Sequence, residues 1–297
     1  MRPISLITGS SGFVGKRLVS ALAEIGYDVV CPSHSICNNQ NILETFLKES
    51  LHDNVIDLIY LIGWDGVGDY KRRCSLDVQF SNIQTVINIL NAIQKYNVRK
   101  IIFGGSGTEF EYFFSFGDQS KLPPVTLYGA SKTYADTLVR FYCEQNKISF
   151  SSAYIHNIYG PGDISDKLIS SSIKKLFKNE HLFFSSGEQL YDFVYIDDAI
   201  KDLLTLKDEK YNGSFFIGSG QTKPLRLFLH ELCSVFNKDT DSYRTFENRG
   251  GASLALDKLP YTVDYICNVA NTPRTDFREG IKNTAQFLIN EGVINNE

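Results

Sequence analysis

The stretch Ile4-Ser-Leu-Ile-Thr-Gly-Ser-Ser-Gly-Phe-Val-Gly-Lys-Arg-Leu18 decides the fold. A short apolar run feeds a glycine-punctuated turn and then a helical pattern, the order of a strand, a phosphate loop and a helix. In the spacing Gly9-x-x-Gly12-x-x-Gly15, one glycine turns the chain tightly, one lets backbone approach a pyrophosphate, and one lets the helix lie close on its strand. The helix N-terminus then offers free N–H groups and its positive dipole end to phosphate. Three glycines by themselves also describe a plain turn beside a helix cap. Their place after the first strand of an alternating chain points to a dinucleotide.

Moving outward, Tyr27–Cys31 and Val55–Ile62 are the next strands expected, with a helix over Asn41–Ser50 and a short strand near Ser35–Cys37 between them. A helix over Leu76–Asn97 carries Phe80, Ile83, Val86, Ile87, Ile89, Leu90 and Ile93, a surface wider than one stripe, so it should pack on two sides. The strand Lys100–Phe103 follows, then an irregular segment through Pro123-Pro124. The next helix, Tyr128 to Gln145, sets Ala130, Tyr134, Leu138 and Phe141 on one face and Ala135, Val139 and Tyr142 on another. Two broad-faced helices predict a homodimer, although burial under the protein's own loops gives the same pattern. After the strand Phe150–His156, the run Asn157-Ile-Tyr-Gly-Pro-Gly162 stops regular structure. The second half is read as helix Ser165–Lys178, strands His181–Phe184 and Asp192–Tyr195, helix Asp197–Leu206, strand Ser214–Ile217 and helices Leu225–Asn237 and Asp276–Asn290.

The expected fold is α/β, a Rossmann-like doubly wound parallel sheet with a smaller C-terminal substrate-binding region. Residues 1–160 make the dinucleotide-binding domain, 189–222 return to it, and 161–188 with 223–297 make the substrate-binding region. With 43% hydrophobic residues and 30 basic against 34 acidic side chains, the chain has no polybasic footprint for nucleic acid or anionic lipid. No apolar run approaches the roughly 20 residues of a membrane span, and the chain enters a strand without a secretory signal, so a cytoplasmic protein with small-molecule partners is expected. Its six cysteines form no C-x-x-C pair and its five histidines no H-x-x-x-H spacing, which predicts free thiols and no metal.

Tyr128-Gly-Ala-Ser-Lys132 places a phenol and an ammonium four apart, on one helical face. A neighbouring cation favours phenolate, which makes Tyr128 a general acid or base for an alcohol–ketone interconversion. Such pairs are common on surface helices, and this one gains meaning from the loop before it. Phe103-Gly-Gly-Ser-Gly-Thr108 lies at the carboxyl end of its strand, where open parallel sheets bind ligands, and Ser106 can donate to a carbonyl oxygen as it gains charge.

With these residues in place the chain resembles the extended short-chain dehydrogenase/reductase family, the group of nucleotide-sugar epimerases, dehydratases and reductases. The resemblance covers most of the chain: T-G-x-x-G-F-V-G at Thr8–Gly15, Ser106, Y-x-x-x-K at Tyr128–Lys132, N-x-Y-G-P-G at Asn157–Gly162 and D-F-V-Y-I-D-D at Asp192–Asp198. It implies hydride transfer between a nicotinamide ring and a sugar carbon. Tyr128 would give or take the proton, Lys132 would hold the nicotinamide ribose and tune Tyr128, and Ser106 would orient the reacting oxygen. The dinucleotide would be held by Gly9, Ser11, Gly12, Phe13, Val14, Gly15 and Leu61 as well. A nucleotide sugar would meet Trp64, Ser106, Thr108, Asn157, Gln189 and Tyr191, with His156 a packing or hydrogen-bonding residue close to the nicotinamide.

Departures from the family pattern narrow the function. Dehydratases of the group carry an Asp-Glu pair directly after the hydroxyl residue of the strand loop; Gly107-Thr108 stands there, with Glu109 one position late, so elimination is disfavoured. Epimerase–reductases that form GDP-fucose carry a cysteine where Thr108 stands. The second strand ends in Cys31-Pro-Ser-His34, with no acid for the adenosine ribose, and Ser33 or His34 with Lys16 or Arg17 can take a 2′-phosphate. NADPH is therefore expected over NADH or NAD. Tyr154 and Tyr191 replace family arginines, so contacts to the nucleotide diphosphate must differ; Lys174, Lys175 and Arg226 are available cations. Trp64-Asp-Gly-Val67, Gly105–Glu109, Gln189–Phe193 and Ile217–Gly220 look like the branch that contains CDP-abequose synthase and related 4-keto-6-deoxyhexose reductases. The function expected is NADPH-dependent reduction of a nucleotide-linked 4-keto-6-deoxyhexose at sugar C4, supplying a deoxysugar for a surface polysaccharide. A C4 epimerase with bound NAD and a non-catalytic dinucleotide sensor are the rivals.

Overall fold

Apolar runs such as Val-Ile-Asp-Leu-Ile-Tyr-Leu of residues 55–61 have no solvent-facing alternation, and the structure buries both of their faces. In the computed structural model, which describes residues 2–51, 55–109, 126–184, 186–238 and 263–294, these runs form one parallel sheet. Strands are numbered along the chain: β1 (Ile4–Thr8), β2 (Asp28–Val30), β3 (Val55–Leu61), β4 (Asn97–Ser106), β5 (Ser149–Ile155), β6 (Asn157–Tyr159), β7 (Leu190–Tyr191), β8 (Phe193–Tyr195), β9 (Gly213–Ile217) and β10 (Lys223–Pro224). The six-stranded sheet has the order β2-β1-β3-β4-β5-β9, doubly wound as expected. Elsewhere β6 pairs in parallel with β8, and β7 antiparallel with β10.

The chain divides into two compact units, Met1–Ile155 with Ile200–Ile217 and His156–Ala199 with Gly218–Glu297. In the first, helices α1 (Phe13–Glu24), α2 (His34–Cys37), α3 (Gln40–Ser50), α4 (Tyr70–Arg73), α5 (Leu76–Ala92) and α6 (Leu127–Asn146) join the strands. Leu43 and Leu47 of α3, Val86 and Ile89 of α5, and Ala135 and Val139 of α6 share a core with Leu6, Ile59, Ile101 and Phe103 of the sheet. In the second unit Tyr159, Phe193, Phe228 and Phe277 pack ring on ring.

Several local expectations are corrected. Ser35–Cys37 is helical, because the Ser33 hydroxyl accepts from the Ile36 N–H and starts α2. The helix from Leu76 stops at Ala92 and Asn97 already opens β4, which continues through Gly104-Gly105 to Ser106 because those glycines pair with Ala153 and Tyr154. Asn157–Tyr159 is a strand, His181–Phe184 is not, and a short helix over Ile266–Ala270 has no counterpart among the expected elements. The irregular segment through Pro123-Pro124 lies outside the described residues.

The most instructive correction concerns α5. Phe80 is 63% exposed, while Gln79, Asn82, Thr85 and Asn88 are buried. These polar side chains fasten the loops after β2 and β3. Asn82 accepts the Asp65 N–H at 2.9 Å and returns a bond to the Asp65 carbonyl at 3.0 Å. Gln79 accepts from the Trp64 indole at 2.9 Å, and Asn88 donates to the Cys37 carbonyl at 2.9 Å. Buried loop backbone must find partners, and α5 supplies them.

Candidate active site

The phosphate loop is shaped by contacts that no side chain could enter. Gly9 sits at φ +74°, and a Cβ there would lie 2.5 Å from the Gly63 Cα. A Cβ on Gly15 would meet the Gly9 carbonyl oxygen at 2.0 Å, so α1 lies directly against the loop. Thr8 pins the exit of β3 by accepting the Gly63 N–H at 3.0 Å, next to Leu61, which ends that strand in register with Thr8. Gly12 precedes α1 without a side-chain cap and the first turn, Phe13 and Val14 included, carries no acid, so its N–H groups are left to an anion. Ser11 is exposed at the loop tip. These features fit the pyrophosphate of a dinucleotide.

At the exit of β2, Ser33 and His34 are exposed but engaged: the Ser33 hydroxyl meets Ser35 at 2.9 Å, and the His34 ring meets the Asn38 amide at 2.9 Å. Lys16 and Arg17 are exposed on α1.

The carboxyl ends of β3 and β4 gather the chemistry. The Ser106 hydroxyl lies 3.0 Å from that of Thr108 and hydrogen-bonds Tyr128, which stands in the first turn of α6 and is 4% exposed. Burial pushes the Tyr128 pKa up; the Ser106 hydrogen bond and the charge of Arg73 pull it down, and Glu109 pushes it up. The Arg73 guanidinium lies 4.4 Å from the centre of the Tyr128 ring, and Trp64 meets the same ring edge-on at 6.4 Å. Arg73, the last residue of α4, is a candidate site residue that sequence reading missed; its one signal was the Lys-Arg-Arg run between β3 and α5.

Lys132 is buried one turn further along α6. Its Nζ donates to the Gly104 carbonyl at 2.6 Å and sits 4.2 Å over the Trp64 ring. Burial drives its pKa down, while Glu109 and Asp136 oppose that shift.

The remaining candidates belong to the second unit. Asn157 donates to the Asp192 carbonyl at 3.2 Å, and the buried Asp192 carboxylate accepts the Ser219 N–H at 2.9 Å. The Tyr191 and Phe193 rings meet at a tilt with centroids 5.1 Å apart, and the Gln189 carbonyl accepts the Leu225 N–H at 3.0 Å. His156 is half-buried, and desolvation of its ring lowers its pKa against the pull of Asp192. Lys174 is tied to the Ile164 carbonyl at 2.7 Å, and Arg226 pairs with Glu188 at 3.1 Å.

A family model described as NAD dependent epimerase/dehydratase matches residues 5–218. The chain belongs to the NAD-dependent epimerase/dehydratase family. Across 95% of its length this epimerase/dehydratase family member is 27% identical to CDP-abequose synthase of Salmonella typhimurium, covering 97% of that protein. It is 26% identical to a putative UDP-glucose 4-epimerase of Methanocaldococcus jannaschii, over 96% of this chain and 98% of the relative. Among solved structures, the UDP-glucose 4-epimerase of Thermotoga maritima with UDP-glucose superposes with a TM-score of 0.76 at 19% identity, over 97% of this chain and 99% of that one.

Among the described residues no helix is long and apolar enough to cross a membrane, and no cluster of His, Cys, Asp and Glu could hold a metal.

Proposed function

We propose that the protein is an NADPH-dependent reductase of a nucleotide-linked 4-keto-6-deoxyhexose, acting at sugar C4 to supply a deoxysugar for surface polysaccharide. The observation that carries this is the placement of Glu109: it is buried beneath Ser106, so among the described residues the hydroxyl pair Ser106–Thr108 has Tyr128 as its proton source and no carboxylate pair beside it for elimination. The dinucleotide, when bound, supplies the hydride from nicotinamide C4. Tyr128 passes its proton to the sugar oxygen, Ser106 donates a hydrogen bond to that oxygen as charge develops, and Lys132 takes the nicotinamide ribose. The exit of β2, with Ser33 and His34 and no acid, supports NADPH over NADH, and a cofactor preference of that kind supports net reduction. The likeness to CDP-abequose synthase supports the substrate class.

In this proposal the first unit holds the dinucleotide through Gly9, Ser11, Gly12, Phe13, Val14, Gly15 and Leu61. Trp64, Thr108, Asn157, Gln189 and Tyr191 contact the nucleotide sugar. The active form is a homodimer through α5 and α6, where Phe80, Tyr134 and Phe141 are exposed.

Oxidation of NADPH and NADH by the purified protein, on a panel of CDP-, dTDP-, GDP- and UDP-linked 4-keto-6-deoxysugars, tests this. Loss of NADPH with one of them is expected. Interconversion of ordinary sugar nucleotides without added cofactor, and no loss with any 4-keto sugar, would establish the epimerase instead.

A further inference from the structure

Of the half-buried arginines among the described residues, Arg99 and Arg140 pair with the carboxylates of Asp57 and Asp136, and Arg274 donates to the Asp198 carbonyl. Arg73 has no such partner among them. Its guanidinium lies 4.4 Å from the centre of the Tyr128 ring, and its Nε is buried without a hydrogen bond. A cation over an aromatic face gains less than an unanswered buried N–H loses, so the contact with Tyr128 does not by itself account for the placement. The backbone that carries Arg73 is fastened on several sides. Gly66 turns at φ +86°, and a Cβ there would lie 3.0 Å from the Arg72 Cβ. Arg72 Nε donates to Asp65 at 3.2 Å, the Asp69 carboxylate caps α4 by accepting the Lys71 N–H at 2.8 Å, and the buried Gln79 of α5 donates to the Arg72 carbonyl at 3.1 Å. A guanidinium held beside the proton-transferring phenol in this way, with its N–H fork unengaged, suits a planar oxyanion.

We propose that Arg73 binds the diphosphate of the nucleotide sugar, so that one guanidinium grips the substrate and flanks the phenol that protonates it. The proposal rests on the substrate being a nucleotide sugar. Two diphosphates need partners in such an enzyme. That of the dinucleotide has the glycine loop and the N-terminus of α1. That of the sugar lacks the arginines of the family pattern, since Tyr154 and Tyr191 stand in their places. Two other cations are already engaged, Lys174 with the Ile164 carbonyl at 2.7 Å and Arg226 with Glu188 at 3.1 Å. A sugar whose C4 oxygen meets Tyr128 carries its phosphate on C1 of the same ring, so a cation beside Tyr128 has only that ring to span.

The test is titration calorimetry of the full chain with CDP, dTDP, GDP and UDP, and with NADPH and NADH. Binding is read rather than turnover, because Arg73 also acts on Tyr128. Arg73→Gln should bind the preferred nucleoside diphosphate about 10- to 100-fold more weakly than the wild type, the size of a lost charge-assisted contact, and the dinucleotide equally well. Equal affinity for the nucleoside diphosphate overturns the proposal. A comparable loss of dinucleotide affinity overturns it too, since Arg73 would then serve the cofactor or the fold. Should Arg73→Gln not fold, Arg73→Lys carries the test: it keeps the charge and loses the planar fork, and its affinity for the nucleoside diphosphate should fall about tenfold, with no change overturning the idea. If the wild type binds none of the four nucleoside diphosphates, the nucleotide-sugar reading falls and this inference with it; a nucleoside diphosphate bound alike by wild type and variant rejects this inference alone.

Discussion

Tyr128 works between opposed influences: burial and Glu109 hold its proton on, and Ser106 and Arg73 loosen it. Tyr128→Phe removes the proton and little volume, so turnover should fall by about 10²–10⁴-fold while cofactor affinity stays. Near-normal turnover would remove Tyr128 from the proton-transfer role. Arg73→Gln should raise the Tyr128 pKa. In the alcohol-oxidising direction, which needs phenolate, the rising limb of the pH–rate profile then moves to higher pH. The neutral-pH rate falls about tenfold for each pH unit that the limb moves. In the reducing direction the alkaline fall-off moves up with it. At the exit of β2, Ser33→Asp retains a good helix cap and adds a negative charge. The efficiency ratio of NADPH to NADH should drop by about tenfold or more, the size of a lost charge-assisted contact. An unchanged ratio would show that Ser33 is not near the adenosine ribose.

Helix α5 shows where pattern reading succeeds and where it stops. Its start is legible, since Ser75 precedes an apolar-periodic run and caps the Val78 N–H. Its orientation is not. Periodicity ranks positions by hydrophobicity, whereas this helix turns Asn82, Gln79 and Asn88 inward to meet loop backbone and the Trp64 indole, a demand set by residues far away in sequence. Asn82→Leu should therefore cost about 1–3 kcal/mol in chemical denaturation, because the Asp65 N–H and carbonyl both lose their partner. A loss under a few tenths would mean that water replaces the amide. Strand β4 reads short in the sequence for a related reason: Gly104-Gly105 looks like loop until β5 is present to pair with it. The opposite case is β1, its glycine loop and α1, where every constraint is local and the boundaries are legible.

For the whole molecule, the order of strand, phosphate loop, serine loop and tyrosine helix is enough to anticipate the sheet; in the second unit the helices Leu168–Phe177, Leu225–Val235 and Phe277–Asn290 are legible from their periodicity, whereas most of its two-residue and three-residue strands are too short to read. What the exposed apolar residues of α5 and α6 predict is association. The proposed dimer should be seen in sedimentation of the wild type and be lost to a monomer in Phe80→Glu combined with Phe141→Glu; an unchanged sedimentation coefficient would reject these helices as the interface. The bare main chain at Gly105 has a bearing on how such enzymes diversify. Transposing Thr108 and Glu109 is the shortest route to a carboxyl on the open side of the strand loop. It would also empty the space that the absent Gly105 side chain leaves to Glu109 beside the Tyr154 ring. A lineage, or an engineer, seeking elimination chemistry from this chain must rebuild the interior first and the catalytic surface second.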